Sequence, residues 1–400
     1  MFSPQTFNQS LRPHLQDLAR FETTKELEAS AIYGRLRPNV EGLLEHVWQE
    51  TLAPPPTASA TMPITVVAWN VERGLCLDPI IRFLQDHPSL NRADVLLLSE
   101  VDWGMARTGN RFITRDIAAA LGMNYAFAPC YLALNKGAGV EKNVAGDNEE
   151  SLHGNALLSK YPLHNAHSLA LPNGKDKMKG AEKRIGSQRA VIADVAHPSG
   201  TFRAVSLHLD AHSSQRHRQT QMRLVLDHLD TLQPRLPTLI GGDWNTTTHD
   251  ASRALYSILG YFRRVLMGVR SVVKYHYPFP ERWFERHLFR ELEARGFNYR
   301  DLNRMGACTL HYNIKDLTTN LNLGEWVPKW CFWFINWALN QTGGSCSMKL
   351  DWFAGKEIVP VSPPLALAGL VDQGRPVSDH DPIALTFTLG EKFKVSDPEG

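Results

Sequence analysis

The spacing of apolar residues separates a helical beginning from a long second part of the chain. Over residues 1–52, apolar positions recur at helical intervals through LEASAIYGRL and VEGLLEHVWQETL, and the proline-rich stretch APPPTASATMP follows. We therefore predict a helical N-terminal appendage and linker over residues 1–61. We predict a main domain over residues 62–392 and a short tail over residues 393–400.

From Ile64 onward, strand-length apolar runs alternate with amphipathic helices. One helix, RFITRDIAAAL, ends at Gly122, a long helix begins at Ser213 or Ser214, and a short one ends near Gly260. Some successive strands are joined by tight turns and others by helices, so we predict an α/β fold of mixed sheets with helices outside them. The predicted strands are ITVVAWNV, ADVLLLSEV, NALLSKYPL, RAVIADVAH, FRAVSLHLD, PTLIGGDWN, MKLDWFAG and DPIALTFTL.

The alternation is lost in an insert at about residues 263–345. Residues 263–304 carry ten Lys and Arg against five Asp and Glu, with aromatic residues between them, and Pro280 and Gly296 mark the ends of a predicted helix. The aromatic run KWCFWFINWAL is too short to cross a membrane. Over residues 274–339, this pattern favours either a surface that stacks nucleic-acid bases, a lipid interface, or an ordinary amphipathic helix with an aromatic core patch.

Composition changes this picture little. Lys and Arg number 43 against 41 Asp and Glu, a net charge of +2, so attraction to a polyanion would have to come from local patches. The five cysteines are scattered without CxxC spacing, which favours neither a disulfide framework nor a thiolate metal site. With no predicted transmembrane segment or basic leader, we expect a soluble, cytoplasmic protein.

Candidate chemistry begins at the strand PTLIGGDWN. The glycine pair predicts a sharp turn, after which Asp243 and Asn245 leave the strand end on the same side. A carboxylate there can accept a proton or orient a water molecule, and an amide can donate to an anionic oxygen. The alternative is a plain turn that caps a following helix.

Other predicted strands also end in polar residues that a strand does not need. Taken singly, Asn70 could be a turn former, Glu100 a surface acid and His208 a hydrogen-bonded core histidine. Together with Asp351 and the SDHDP segment, these residues would line one cleft. Their oxygen-rich chemistry without thiolates suits Mg²⁺, with Mn²⁺ as the alternative. Glu100 is the best candidate for direct binding of the metal ion, and His380 could pair with Asp351. A metal ligand and a separate histidine–carboxylate pair together fit phosphoester hydrolysis.

The series WNV, SEV, SLHLD, GGDWN, LDWF and SDHDPI resembles the endonuclease/exonuclease/phosphatase superfamily, in the same order and over roughly residues 62–390. This resemblance implies a four-layer α-β-β-α sandwich of two mixed sheets flanked by helices. It also implies an enzyme that hydrolyses phosphomonoesters or phosphodiesters with Mg²⁺.

The resemblance assigns roles position by position. It implies metal binding by Asn70, Glu100 and Asp379. It implies that Asp243 orients or deprotonates the attacking water, that Asn245 donates to the phosphate, and that His380 acts with Asp351. His208 resembles a second histidine that supports the transition state in several members.

Two further residues have structural alternatives. Arg189 resembles an arginine that touches phosphate in some relatives, although a structural salt bridge explains it equally well, and Asn155 falls in a recurring stretch where support of a strand edge is the simpler account. The basic run from Lys175 to Arg189 is either a solvated loop or a loop near the substrate.

We predict a nuclease or other phosphodiesterase ahead of a phosphatase or phosphodiesterase for lipid, inositol or other small-molecule phosphates. A binding protein that keeps the fold without catalysis is disfavoured because Glu100 and His380 are both present.

Overall fold

The computed structural model describes residues 7, 9–52, 54, 62–247, 254–313, 337, 340–341 and 343–390. The strands are β1 (Trp48–Glu50), β2 (Ile64–Arg73), β3 (Val95–Trp103), β4 (Asn124–Ala133), β5 (Leu152–Ser159), β6 (Leu163–Ala170), β7 (Arg184–Gly186), β8 (Arg189–His197), β9 (Gly200–Ser206), β10 (Thr238–Asp243), β11 (Leu310–Asn313), β12 (Ser345–Met348), β13 (Asp351–Lys356), β14 (Ile358–Pro360), β15 (Leu365–Ala366), β16 (Val371–Asp372), β17 (Arg375–Pro376) and β18 (Ile383–Leu389). The α-helices are α1 (Leu15–Leu18), α2 (Thr24–Ala29), α3 (Ala31–Glu45), α4 (Leu77–Asp86), α5 (Ile113–Leu121), α6 (Gln215–Thr231), α7 (Ala254–Leu266), α8 (Val269–Ser271) and α9 (Arg286–Ala294).

Most of these strands form two mixed sheets. The first has the order β1-β4-β5-β3-β2-β18-β14, with β7 added beside β4 and β15 beside β18. The second has the order β13-β10-β9-β8-β6. Each sheet contains one parallel pair, β2 with β3 and β9 with β10, among antiparallel neighbours. Two small ribbons, β11-β12 and β16-β17, stand apart from the sheets.

Alternating side chains of each strand serve two different layers. Val66, Leu97 and Leu239 pack in the core between the sheets, whereas Val67 belongs to the core under α4 and α5. The outer face of the second sheet is covered by α6 and α9, through residues such as Phe289. This arrangement confirms the predicted four-layer α-β-β-α sandwich of two mixed sheets flanked by helices.

The helix predicted to start at Pro280 begins only at Arg286, after a short 3₁₀ turn at Pro280–Arg282. The other main helical boundaries agree with the sequence pattern, with two exceptions. Ser214 caps α6, and α5 ends at Gly122, whose φ of 63° favours glycine. The helix predicted to end near Gly260 instead continues through it to Leu266, since glycine inside a helix costs only about 1 kcal/mol.

The second exception lies in the N-terminal part of the chain. Here α3 ends at Glu45, and the predicted helix gives way to β1, which pairs with the edge of β4. Trp48 packs edge-on against Trp103 at a centroid distance of 4.7 Å, so pairing and aromatic packing override helical spacing. The division of the chain at residue 61 stays a prediction.

The described part of residues 274–339 gives no support to a lipid interface. In α9, Leu288, Phe289 and Leu292 are buried against the second sheet, and Arg218 of α6 forms a fully buried ion pair with Glu285. The run KWCFWFINWAL lies almost entirely outside the described residues. Among the described residues, no helix is both long enough and apolar enough to span a bilayer. The cytoplasmic location stays a prediction.

Candidate active site

The polar residues at the predicted strand ends meet at one edge of the sandwich. Asn70 and Glu100 come near the ends of the parallel strands β2 and β3, and Asp243 ends β10. The antiparallel strand β13 begins with Asp351, which lies directly opposite Asp243. Because antiparallel strands begin where their neighbours end, residues far apart in sequence share this edge.

Two contacts hold the first and last motifs of this edge together. The indole Nε1 of Trp69 donates to the main-chain oxygen of His380 at 2.8 Å, and Oγ of Ser378 donates to the main-chain oxygen of Asn70 at 2.7 Å. The SDHDP segment is therefore fastened to the end of β2 before β18 begins.

The glycine pair of GGDWN has a different role from the predicted turn. Gly241 and Gly242 both lie within β10, which continues to Asp243. A Cβ atom on Gly242, whose φ is 136°, would lie 2.1 Å from the main-chain oxygen of Leu207, and one on Gly241 would lie 2.7 Å from Leu97. The glycines thus permit close approach of β10 to its neighbours at the site, and the turn follows at Asn245, which has φ of 49°.

Asp243 is buried and surrounded by polar groups. Its Oδ1 accepts the main-chain N–H of Asn245 at 2.8 Å, and its Oδ2 accepts Nδ2 of Asn70 at 3.1 Å. Oδ2 also lies 3.5 Å from Nε2 of His208 and 3.7 Å from Nε2 of His380. Burial raises the pKa of Asp243 to about 6, against the lowering effect of the His380 and His208 imidazoles.

His380 is paired with Asp351. Its Nδ1 lies 2.8 Å from Oδ2 of Asp351, and both side chains are buried. Burial alone would lower the pKa of His380, but the carboxylates of Asp351 and Asp243 raise it well above its usual range. The ring therefore favours the charged imidazolium form.

Glu100 occupies a backbone position that few side chains adopt. Its φ is 54°, and the register between β3 and β5 shifts between Leu98 and Val101, as in a β-bulge. Oδ1 of Asn155 accepts the main-chain N–H of Glu100 at 3.4 Å, while Nδ2 of Asn155 donates to the main-chain oxygen of Arg189 at 2.8 Å. Asn155 therefore connects the two sheets behind Glu100.

The Glu100 carboxylate faces both histidine and amide groups. Nδ2 of Asn70 donates to its Oε1 at 3.1 Å, and Nε2 of His208 lies 4.0 Å from the same oxygen. Burial would raise the pKa of Glu100, but Arg73 and then His208 and His153 hold it well below its usual range. Glu100 is thus ionised beside Asp243.

Two charged residues that the sequence pattern did not identify also belong to this edge. Glu72 and Arg73 follow Asn70 at a second register shift, with φ of 45° and 66°. Oε2 of Glu72 accepts the main-chain N–H of Asp379 at 3.2 Å. Burial and then the charge of Asp379 raise the pKa of Glu72 to about 8. In the sequence, Glu72 and Arg73 stand close to Asn70 in the WNVER segment, which could have marked them as candidates. Nothing in that segment indicated the β-bulge that places them at the site.

The acidic residues fit a divalent cation. Burial is the largest cause that raises the pKa of both Glu72 and Asp379, and the charge of Glu100 raises both further. Such a set of oxygen donors is costly without a cation and suits a hard ion. Asp243, Asp351 and His380 also offer ligand atoms within 4.8 Å of one another, although Nδ1 of His380 and Oδ2 of Asp351 already contact each other.

A second buried group of charges lies behind Glu100 and was also missed. Asp102 accepts Nε of Arg107 at 2.7 Å and lies 2.8 Å from Nδ1 of His153. Arg107 further contacts Glu141 at 3.2 Å and Glu182 at 3.1 Å. Asp102 stands two residues after Glu100 in SEVDW, and that spacing was its only signal in the sequence.

Arg189 does not join the carboxylates and imidazoles in the contacts it makes. Its Nη1 donates to Oγ of Ser168 at 3.0 Å, and its main-chain oxygen accepts Asn155. The basic run before it is anchored near His208, because Nζ of Lys177 and the main-chain N–H of Gly174 both donate to Asp210, at 3.2 and 2.7 Å. This loop therefore lies beside the site.

Comparisons with known proteins agree with this arrangement. The model of the Endonuclease/Exonuclease/phosphatase family matches residues 67–380. No curated protein matches the sequence. Solved structures with a similar fold include an endonuclease/exonuclease/phosphatase from Beutenbergia cavernae DSM 12333, with 16% identity, coverage of 82% of this chain and 72% of that chain, and a TM-score of 0.46.

Two other structures match at similar levels. The 3'-5' exonuclease NExo from Neisseria meningitidis has 13% identity, coverage of 81% of this chain and 100% of that chain, and a TM-score of 0.46. TDP2 from D. rerio, complexed with a single-strand DNA product, has 16% identity, coverage of 82% and 99%, and a TM-score of 0.44. The family match spans most of the chain and includes every strand end described above. The chain therefore belongs to the endonuclease/exonuclease/phosphatase family of phosphoester hydrolases.

Proposed function

We propose that this protein is a Mg²⁺-dependent phosphodiesterase, and specifically a nuclease, which directs a water molecule in line at phosphorus. The observation that supports this proposal most directly is the position of Asp243. Its Oδ2 lies within 3.7 Å of Nε2 of both His208 and His380, Asn70 donates to the same oxygen, and the main-chain N–H of Asn245 donates to Oδ1. The carboxylate is therefore fixed where it can take a proton from a water molecule.

The four groups around the reacting phosphate would divide the work. Asp243, with a pKa of about 6, is mostly ionised near neutral pH and accepts the proton of the attacking water. His380, kept cationic by Asp351, stabilises negative charge that develops on the phosphoryl oxygens, and His208 supports it from the opposite side of Asp243. Nδ2 of Asn245 donates to the main-chain oxygen of Leu209 at 3.0 Å and to Oδ2 of Asp243 at 3.2 Å, so Asn245 would donate to phosphate by exchanging one of these contacts.

Glu100, Glu72 and Asp379 are the residues that would hold the cation. When bound, Mg²⁺ or Mn²⁺ would neutralise charge on the phosphate oxygens and lower the pKa of a bound water molecule. Asn70 has both ends of its amide engaged, since Oδ1 accepts the main-chain N–H of Glu72 at 3.1 Å and Nδ2 donates to Glu100. We therefore propose that Asn70 orients the ligands, a change from the direct metal binding that its sequence position suggests.

The basic loop beside His208 favours a polyanionic substrate. Lys175 and Lys179 lie on this loop, and the contacts of Lys177 and Gly174 with Asp210 hold it near His208, although Asp210 neutralises Lys177 itself. Cations next to the reacting phosphate would attract neighbouring phosphates of a nucleic-acid strand. A small monoester would have no use for them.

The test compares hydrolysis of bis-p-nitrophenyl phosphate, p-nitrophenyl phosphate and single-stranded DNA with Mg²⁺, Mn²⁺ or EDTA. We expect cleavage of the diester and of DNA that EDTA abolishes, with DNA binding that weakens steeply as salt rises. Turnover that survives EDTA and His380→Ala would reject the proposed centre. A preference for the monoester with a flat salt dependence would instead indicate a small-molecule phosphatase.

A further inference from the structure

A cavity of about 180 Å³ opens directly beside the catalytic histidine. Residues 376–381, which carry His380, form part of its lining, together with residues 369–371 and His311 of β11. Of the residues proposed for the reacting centre, Asp379 and His380 line this cavity, so it adjoins the centre on their side. Its volume is well below the roughly 300–1,000 Å³ of a site for a drug-sized ligand, so it suits a single ring system.

Both ring nitrogens of His311 have polar partners, which leaves the face of the ring for contact with a ligand. Its Nδ1 lies 2.7 Å from Oγ of Ser347, directly opposite it in the ribbon, and its Nε2 lies 2.8 Å from Oδ2 of Asp381. These two contacts engage both ring nitrogens and fix the plane of the ring. The side chain nevertheless stays 47% exposed. A ring fixed in this way can hold a partner only by contact with its face, which is how histidine stacks on nucleobases.

The remaining lining selects a neutral group. Leu370 and Val377 supply buried apolar surface, and Val371 is 46% exposed. The lining contains two acids, Asp379 and Asp381, beside the imidazolium of His380, and no Lys or Arg occurs among its residues, all of which belong to the described part of the chain. No Lys or Arg is present to pair with a second phosphate, whereas a flat ring that is apolar on its faces and polar at its edge would fit.

We infer that this cavity binds the nucleobase of a nucleotide adjoining the cleaved phosphate, with His311 as the stacking platform. The inference rests on the proposed function, because it supplies the substrate class of the same site. The basic loop near His208 would follow the phosphates, and the cavity near His380 would hold a base, so the two flanks of the centre would contact different parts of one strand.

The experiment uses the full-length protein with Mg²⁺ and single-stranded oligonucleotides in which one tetrahydrofuran abasic residue is moved along the strand. For the wild type we expect kcat/KM to fall about tenfold when the abasic residue adjoins the cleaved bond on one side, which is within the range for loss of one stacked base. His311→Ala should lose a similar factor on the intact strand and almost nothing more on that abasic strand. His311→Phe should keep most of the activity that His311→Ala loses, because the aromatic face remains.

His287→Ala provides the matched control, since His287 is an exposed histidine on α9. It should behave as the wild type on every strand. Independent, multiplicative losses from His311→Ala and from the abasic residue would overturn the assignment, as would an unchanged kcat/KM in His311→Ala. If the wild type hydrolyses bis-p-nitrophenyl phosphate but no oligonucleotide, the inference of a nucleobase site is wrong, while the proposal of phosphodiester hydrolysis stands. If it hydrolyses neither, the proposed function and this inference both fail.

Discussion

Asp243 and Asp351 lie directly opposite each other in the antiparallel pair of β10 and β13, and His380 lies within 3.7 Å of both carboxylates. Two like charges in one cross-strand pair destabilise a sheet unless a counter-charge intervenes. His380 supplies that counter-charge. In the proposed mechanism, catalysis and the stability of the sheet edge thus depend on the same imidazole.

This arrangement predicts coupling between His380 and Asp351. We expect His380→Ala to lower the free energy of unfolding, and Asp351→Asn in that background to restore part of it. A double-mutant cycle by urea denaturation at neutral pH should give an interaction energy of about 1–3 kcal/mol. Strictly additive effects would show that the histidine does not screen the acid.

Asp243 and Glu100 should differ in how their loss affects turnover. Asp243→Asn keeps the shape of the site but removes the proton acceptor, so kcat should fall about 10²- to 10⁴-fold at saturating Mg²⁺. Glu100→Gln should mainly raise the Mg²⁺ concentration needed for half-maximal rate. Steady-state kinetics across a Mg²⁺ titration makes the comparison. The separation of roles is wrong if the two variants show the same metal dependence.

Asn155 should act through the position of Glu100. Asn155→Ala leaves the main-chain N–H of Glu100 and the main-chain oxygen of Arg189 without their present partner. An unsatisfied buried group costs about 1–3 kcal/mol, so the variant should lose stability and should also need more Mg²⁺. Denaturation and Mg²⁺ titration measured together decide the point. Lower stability with an unchanged Mg²⁺ requirement would leave Asn155 a purely structural link.

The buried charges behind Glu100 should be important for folding. Asp102 and Arg107 are almost completely buried, so Asp102→Asn removes the carboxylate that pairs with two nitrogens of the guanidinium, leaves it only Glu141 and Glu182, and should cost about 1–3 kcal/mol. Glu41→Gln is the control, because the Arg37–Glu41 pair is exposed on α3 and should contribute little to stability. Urea denaturation of both variants at the same pH gives the comparison. If both variants lost a similarly small amount of unfolding free energy, burial would not make the Asp102–Arg107 pair more important than an exposed pair.

His197 should make stability depend on mild acid. Burial lowers its pKa from 6.5 to about 4, and its Nδ1 accepts the main-chain N–H of Ser199 at 3.1 Å. Between pH 6.5 and 4 the unfolded chain binds this proton and the folded chain does not, so stability falls as pH falls, by up to about 1.4 kcal/mol per pH unit. At higher pH this contribution is fully present.

The measurement for His197 is the difference in unfolding free energy between the wild type and His197→Gln at several pH values. Other acids titrate in the same range, but they are common to both proteins. The wild type should therefore show the steeper loss between pH 6.5 and 4. Parallel curves would mean that the imidazole is protonated equally in both states.

Much of the fold was predictable because strand and helix signals are local. Ser214 and Gly122 mark helix ends through their own side-chain and backbone chemistry. The strand β1 was not predictable, since its conformation depends on the edge of β4 and on Trp103, which lie far along the sequence. Helical spacing in that segment carried no information about those partners.

The same contrast applies to the site. The polar ends of strands identified Asp243, His380 and their neighbours as candidates, because such residues have little use in a strand. The bulges that place Glu72 and Arg73 beside them have no counterpart in hydrophobic spacing. The second role of Asn155, as a link between sheets, likewise arises only from tertiary contacts.

The ribbon β11-β12 has a consequence for how this enzyme could diversify. Thr309, just before it, accepts the main-chain N–H groups of Leu350 and Asp351 at 3.2 Å, and Asn313 and Ser345 face each other at its far end. The chain thus leaves the ribbon after Asn313 and returns to it at Ser345, at the same end of the ribbon. The other end of the ribbon, next to Thr309, lies beside Asp351 of the candidate site. Lengthening the intervening stretch costs only about 0.6 kcal/mol per doubling. The far end of the ribbon is therefore a place where segments that recognise different substrates could be inserted or exchanged without changing the candidate catalytic residues.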